Sequence, residues 1–294
     1  MRRTFILAAL FLTVALPLMS QSTRRDMIVS TNWLAERLTG QVIVIEVGDK
    51  NSYNTGHIPT ARLLERTTMM RDLENVPNEL PAVADFESAM TALGVGNKTR
   101  IVIYSRDPLL ATRAWFTFDY FGHGHRASVL NGGYAKWVAE GKTTTTDVAP
   151  VTPSTFEAEP NPAAVANLRA MRVLVRTRNI LGPSLVIIDA RPEPSYRGET
   201  AGNGVSRAGH IPGALSVPWS RNLDNDGLLF RSDDDLRNLY GDLGVKKDTT
   251  VITYCRTGVE ASMTYFVLRY LGLDPSLYDG SFVEWSNDDN APVI

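Results

Sequence analysis

Cys255 is the only cysteine in 294 residues, and its surroundings suit nucleophilic sulfur chemistry. The segment Val251-Ile252-Thr253-Tyr254-Cys255-Arg256-Thr257-Gly258-Val259-Glu260-Ala261 reads as a β-branched strand ending at the sulfur, a turn, and a helix starting five or six residues later. Gly258 can supply a positive φ, so consecutive N–H groups of the loop Arg256, Thr257, Gly258, Val259 and Glu260 can point inward as an anion cradle. The positive end of the helix favours thiolate over thiol. In such electropositive settings a cysteine pKa falls to about 3.5–7.5. The expectation is therefore a nucleophile that needs no histidine partner. A Cys-x5-Arg phosphatase loop is ruled against, because the position six after the sulfur is Ala261.

The elements that position this loop occur twice. Val42-Ile43-Val44-Ile45-Glu46, Tyr53 and Gly56-His57-Ile58-Pro59 in the first half match Leu185-Val186-Ile187-Ile188-Asp189, Tyr196 and Gly209-His210-Ile211-Pro212 in the second. Ile101-Val102-Ile103-Tyr104-Ser105-Arg106 matches Val251 to Arg256, and Asn131-Gly132-Gly133-Tyr134 through Trp137 matches Asp279-Gly280-Ser281-Phe282 through Trp285. The offset is 153 at the two histidines, 150 at Tyr104 and Tyr254, and 148 at the two tryptophans, which marks a duplicated domain. Apolar runs without alternation are buried on both faces. Interleaved with helical periods, they predict a mainly parallel sheet flanked by helices in each half.

The predicted division is a secretory signal over residues 1–20, an N-terminal domain over 27–142, a linker over 143–162 and a C-terminal domain over 163–294. Arg2 and Arg3 followed by an apolar stretch from Phe5 to Met19 and then Ser20-Gln21-Ser22 have the layout of a signal. The stretch is short of the roughly 20 residues a spanning helix needs. Export to the periplasm or beyond is expected, with no stable membrane span after cleavage. The linker is the Thr/Pro tract from Thr143 to Pro153 and onward, which favours extended backbone. A net charge of −2 without a basic run argues against a nucleic-acid partner.

The duplicated halves, the Gly-His-Ile-Pro-Gly-Ala segment at 209–214, Asp189-Ala190-Arg191 and the Cys-Arg-Thr-Gly-Val loop resemble the two-domain rhodanese family, over about residues 27–294. The resemblance implies two tandem rhodanese-like α/β domains. It also implies a sulfurtransferase that takes a sulfane sulfur from thiosulfate, or second from 3-mercaptopyruvate, as a persulfide on Cys255 and passes it to cyanide or a thiol. No cofactor and no metal are implied beyond that covalent intermediate. Arg256 and Arg191 would contact the anionic donor, although Arg191 pairing structurally with Asp189 or Glu193 is an equal alternative. Ser105 stands at the cysteine position of the first half, which should then be inert. Two departures stand out. Ser195 replaces an arginine of the family, leaving Arg197 as its substitute, and Glu260 brings a carboxylate to the loop's last position. These keep a second reading open: a non-enzymatic envelope persulfide carrier or interaction module.

Other residues are assigned plainer roles. His57 and His210 are expected to pin their turns by hydrogen bonds, and His123 and His125 to lie in a surface loop without zinc. Trp137 and Trp285 are expected in the core, and Trp219 in the core or at the cleft. The Gly-rich run Gly198–Gly204 is expected either beside the active loop or as a surface excursion.

Overall fold

The computed structural model describes residues 26–74 and 76–294. The expected signal and its cleavage site lie outside the described residues. The first half contains β1 (Ile28–Val29), α1 (Thr31–Ala35), β2 (Ile43–Gly48), α2 (Lys50–Thr55), β3 (Arg62–Glu65), α3 (Arg66–Met69), β4 (Arg71–Leu73), β5 (Val76–Glu79), α4 (Val83–Ala92), β6 (Ile101–Ser105), α5 (Pro108–Tyr120), β7 (Ala127–Leu130) and α6 (Gly133–Ala139). The second contains β8 (Val165–Ala166), α7 (Leu168–Leu181), β9 (Leu185–Asp189), α8 (Glu193–Tyr196), β10 (Ala214–Ser216), α9 (Asp233–Gly241), β11 (Thr250–Tyr254), α10 (Val259–Tyr270), β12 (Ser276–Tyr278) and α11 (Ser281–Asn287).

Each half builds a five-stranded sheet, in the order β1-β7-β6-β2-β3 and β8-β12-β11-β9-β10, with every pairing parallel. The central strands β6 and β11 carry the apolar runs that end at Ser105 and Cys255, and both are buried along nearly their whole length. Helix starts follow local chemistry: the side chains of Ser30, Asp49, Asn167 and Ser232 each accept a backbone N–H in the first turn.

The halves share one apolar core. Helices α5 and α10, each following its half's central strand, pack face to face, with Trp115 edge-on to Phe266 and Phe116 edge-on to Tyr265, both at 4.9 Å. The segment 143–162 lies against the first half rather than hanging free. Thr145 pairs its backbone with His57, and Phe156 is buried beside Phe86 and His123. The aromatic residue after the Thr/Pro run gives it apolar surface to bury.

Candidate active site

Cys255 follows directly on β11, and α10 begins at Val259, four residues on and earlier than expected. The Cys255 N–H donates to Ser281 Oγ (3.3 Å), its carbonyl accepts from the Phe282 N–H (2.9 Å), and the Arg256 carbonyl accepts from the Val283 N–H (3.0 Å). The start of α11 thus clamps the loop from behind. Gly258 has φ +82°, and a Cβ there would meet Asp279 Oδ1 at 2.7 Å and Arg113 Nη1 at 3.0 Å. Only glycine fits this position without strain.

The N–H groups of Thr257, Glu260 and Ala261 converge on the Cys255 sulfur and favour its anion. They do not win. The side chain is only 1% exposed, and burial, with the Glu260 charge second, pushes the thiol up to about 12. The expected depression of the pKa is therefore overturned in the resting structure. Helix-end dipoles offset part of the desolvation cost of a buried sulfur but not all of it.

Glu260, on the first turn of α10, turns inward. Its carboxyl is half-buried, with the charges of Asp189, Arg256 and Arg191 around it. Burial, then the Asp189 charge, lifts it to about 7.

Arg191 proves to be a partner of Asp189. Its Nε and Nη2 grip both Asp189 oxygens at 2.6 to 3.1 Å, Nη2 also donates to the Gly209 carbonyl, and the guanidinium lies 3.9 Å over Phe282. Nη1 is buried and has no partner, so one donor of this fork remains available to an anion. Arg256 donates to the Asn203 carbonyl (3.1 Å), which places the Gly-rich run against the active loop. Arg197 is half-exposed and held between Glu193 (2.9 Å) and Glu199 (2.8 Å), an exposed ion triad whose charge is already matched. Nothing in that arrangement substitutes for an arginine at Ser195.

The first half contributes more than the expected scaffold. Arg113, fully buried on α5, reaches across to Asp279 Oδ1 (2.6 Å) and lies 3.5 Å from the Gly258 carbonyl, while its Nη2 donates to the Asn78 carbonyl (2.6 Å). Asn78 Nδ2 donates to Thr257 Oγ1 (3.0 Å), and the Leu80 N–H donates to Asp279 Oδ2 (2.9 Å). The β4–β5 hairpin therefore braces the loop of the other half. A charged residue amid the apolar α5 pattern was the available signal for Arg113. For Asn78, sequence offered none.

The plainer roles come out as follows. His57 and His210 stack on Tyr53 and Tyr196 (3.7 and 3.8 Å), with each Nδ1 2.9 Å from that tyrosine's carbonyl. Trp137 and Trp285 are buried, and Trp219 packs half-buried against the shared core. His123 is not in a surface loop. It is buried against Phe118 and Phe156 with Nε2 2.8 Å from the Thr99 carbonyl, and burial pushes it down to about 4. Among the described residues no three His, Cys, Asp or Glu side chains converge on a metal position, and no helix is long and apolar enough to cross a membrane.

The rhodanese-like domain family model matches this chain twice, over residues 30–140 and 176–288. The chain belongs to the rhodanese family. Across 91% of its length this rhodanese is 36% identical to the sulfur carrier protein TtuD of Thermus thermophilus, covering 96% of that protein. It is 32% identical to a Mycobacterium tuberculosis protein named as a candidate thiosulfate sulfurtransferase SseA, over 95% of this chain and 94% of that one. Among solved structures, the 3-mercaptopyruvate sulfurtransferase SseA of Escherichia coli matches with a TM-score of 0.75 and 28% identity, over 87% of this chain and 98% of that one. EanB matches with a TM-score of 0.81 at 22% identity, over 92% of this chain and 71% of that chain, which is a likeness of fold alone. At the level these relatives share, the protein is a sulfurtransferase of rhodanese type.

Proposed function

We propose that this rhodanese carries a sulfane sulfur from thiosulfate, as a persulfide on Cys255, to cyanide or a thiol acceptor, with 3-mercaptopyruvate as second donor. The observation that carries the reading is the convergence of the Thr257, Glu260 and Ala261 N–H groups on the sulfur at the head of α10. A persulfide is far more acidic than the parent thiol, so its anion suits that cradle. Arg256 and the unpartnered Nη1 of Arg191 supply positive charge for a sulfonate group. No cofactor enters this scheme. The signal-like layout of residues 1–20 supports an exported, periplasmic or secreted setting as part of the same proposal.

Intact mass after exposure to thiosulfate or to 3-mercaptopyruvate tests it. A sulfur-sized gain on Cys255 with thiosulfate is expected. Loading only by mercaptopyruvate reassigns the donor, and no gain with either donor overturns the reading. The name of the Thermus relative favours a second possibility, a carrier that loads sulfur and hands it only to a dedicated protein. Steady-state cyanolysis separates the two, because a carrier of that kind loads Cys255 but does not turn over with cyanide.

A further inference from the structure

Each half builds one seat for a guanidinium, and different arginines fill the two. In the first half it is Arg106, at the turn after β6. Its Nε lies 3.4 Å from Glu46 Oε1, its Nη2 donates to the Gly56 carbonyl (2.6 Å), and the group stacks 3.8 Å over the Tyr134 ring. The matching positions in the second half are Asp189, the Gly209 carbonyl and Phe282. There the occupant is Arg191, whose Nη2 donates to Asp189 (2.6 Å) and to the Gly209 carbonyl (2.7 Å), with the guanidinium 3.9 Å over Phe282. The first half has Gly48 at the position of Arg191. Arg256, the counterpart of Arg106, thus finds its seat taken.

Arg256 turns instead to a segment that the first half lacks. Asp189 to His210 spans 21 positions where Glu46 to His57 spans 11. The extra residues bring the Asn203 carbonyl to Arg256 Nη1 at 3.1 Å. Gly202 has φ +82°, and a Cβ there would meet Arg256 Cδ at 2.9 Å, so only glycine lets the backbone lie along the arginine stem. Behind this contact the segment is fastened to the end of α11. Asn287 Nδ2 donates to the Gly204 carbonyl (2.8 Å), and Arg207 donates to the carbonyls of Ser286 (2.9 Å) and Asp288 (2.7 Å). A carbonyl accepts a hydrogen bond without neutralising the cation, whereas Arg106 in its seat is matched by Glu46.

The structure assigns Arg191 and the Gly202–Asn203 peptide as positioning elements for the reaction. The first keeps Arg256 off the buried acid, and the second holds its guanidinium at the active loop for an anionic donor. This rests on the reading of Cys255 as the sulfur carrier, loaded by such a donor.

Alkylation of Cys255 by anionic iodoacetate and by neutral iodoacetamide, each followed by mass at low salt, reads the placement of Arg256 without requiring sulfur transfer. The ratio of the two rates cancels the ionisation of the thiol, which both reagents share. In the wild type it should exceed the ratio of the denatured chain, and Arg256→Met should abolish the excess. Gly202→Val, and separately deletion of Ala201, Gly202 and Asn203, should lower it about 5-fold. The same variants should raise the KM for thiosulfate by a similar factor and leave kcat near that of the wild type. A segment that only supports the fold would change the melting temperature and neither of these. A wild-type ratio and KM in both variants overturns the role of the segment and leaves the transferase intact. A lowered ratio with no sulfur uptake by the wild type keeps that role and removes the transferase reading instead. Crystal structures decide the exchange of seats. Arg191→Gly should draw Arg256 onto Asp189 and the Gly209 carbonyl. Gly48→Arg, where a Cβ meets nothing within 4 Å, should displace Arg106 from Glu46. Arg106 unmoved in the Gly48 variant overturns the role of Arg191.

Discussion

The two halves start from one plan and diverge at the turn after the central strand. In the second half Cys255 is followed by Thr257 and Gly258, and three N–H groups are free to meet the sulfur. In the first, Asp107 and Pro108 stand at those positions. Pro108 removes an N–H from the first turn of α5, and the Asp107 carboxylate occupies the helix end by accepting the Leu109 N–H (2.9 Å). Arg106 is drawn back onto Glu46 (3.4 Å) and the Gly56 carbonyl (2.6 Å), over the ring of Tyr134. The anion cradle of the second half is thus replaced by a self-satisfied cap. The strand, the tyrosine on which the turn amide hangs (Tyr104 and Ile58, Tyr254 and Ile211) and the stacked histidine are kept in both. At this turn the two halves differ in a sulfur against a hydroxyl at the strand end, a few backbone donors and one glycine.

The largest expected effect comes from swapping the reactive atom. Cys255→Ser should lower cyanolysis of thiosulfate by more than about 10^3-fold. Adding Ser105→Cys should restore nothing and acquire no sulfur by mass, because that position lacks the cradle. Adding Asp107→Thr and Pro108→Gly to the Ser105→Cys chain should permit slow loading at position 105. Loading by Ser105→Cys alone would break the comparison.

A second difference lies across the interface. Asp279 is bound by the buried Arg113, whereas the matching residues are Asn131, which accepts the Phe230 N–H (3.0 Å), and the apolar Met263. Each half thus offers a side chain after its last strand to a backbone N–H of the other, but only one pair is ionic. Arg113→Met should cost about 3–5 kcal/mol by stranding the Asp279 charge. Combining it with Asp279→Asn copies the arrangement of the first half and should return most of that loss. The check is chemical denaturation of both variants, and equal losses in single and double variants would count against an ionic role. Nearby, burial and then the Asp279 charge raise the proton affinity of Glu79 well above the usual carboxylate range. The folded protein therefore binds a proton at Glu79 that the unfolded chain releases, so the contribution of this group to stability is fully present in acid. It should fall as pH rises from about 4.5 through the raised value. Glu79→Gln should flatten the melting temperature between pH 5 and 9, a smaller change than that of Arg113→Met.

The repeat, the parallel sheets, the loop and its glycine were legible because they depend on neighbours in sequence: apolar runs without alternation, a Gly at φ +82°, and in the first half a histidine fixed by a tyrosine carbonyl four residues away. Arg191 was readable as far as its Asp189 partner for the same reason. What escaped is three-dimensional. The state of Cys255 depends on how much water the fold removes from it, and spacing does not report desolvation. Arg113 and Asn78 act at positions 145 and 179 residues away in the chain. Phe156 and His123 come inside because the linker folds back onto α4 and α5, which no local pattern demands.

The smallest expected effect tests how far the shared parts remain equivalent. His57 and His210 stack on their tyrosines and hydrogen-bond the same carbonyl, so a ring of similar shape without nitrogens isolates the polar contribution. His210→Phe removes the contact to Tyr196 and should cost about 1 kcal/mol, the usual worth of one such bond. His57→Phe removes the Tyr53 contact and also the one at 3.1 Å to the Asp147 carbonyl, which ties down the tract between the halves. Its cost should approach about 2 kcal/mol. Limited proteolysis should then cut near Asp147 faster in the His57 variant, whereas the His210 variant should keep the wild-type pattern. Equal losses and equal cleavage would mean that the extra contact adds no stability, and that the linker is held by the Thr145 backbone pairing and Phe156 alone.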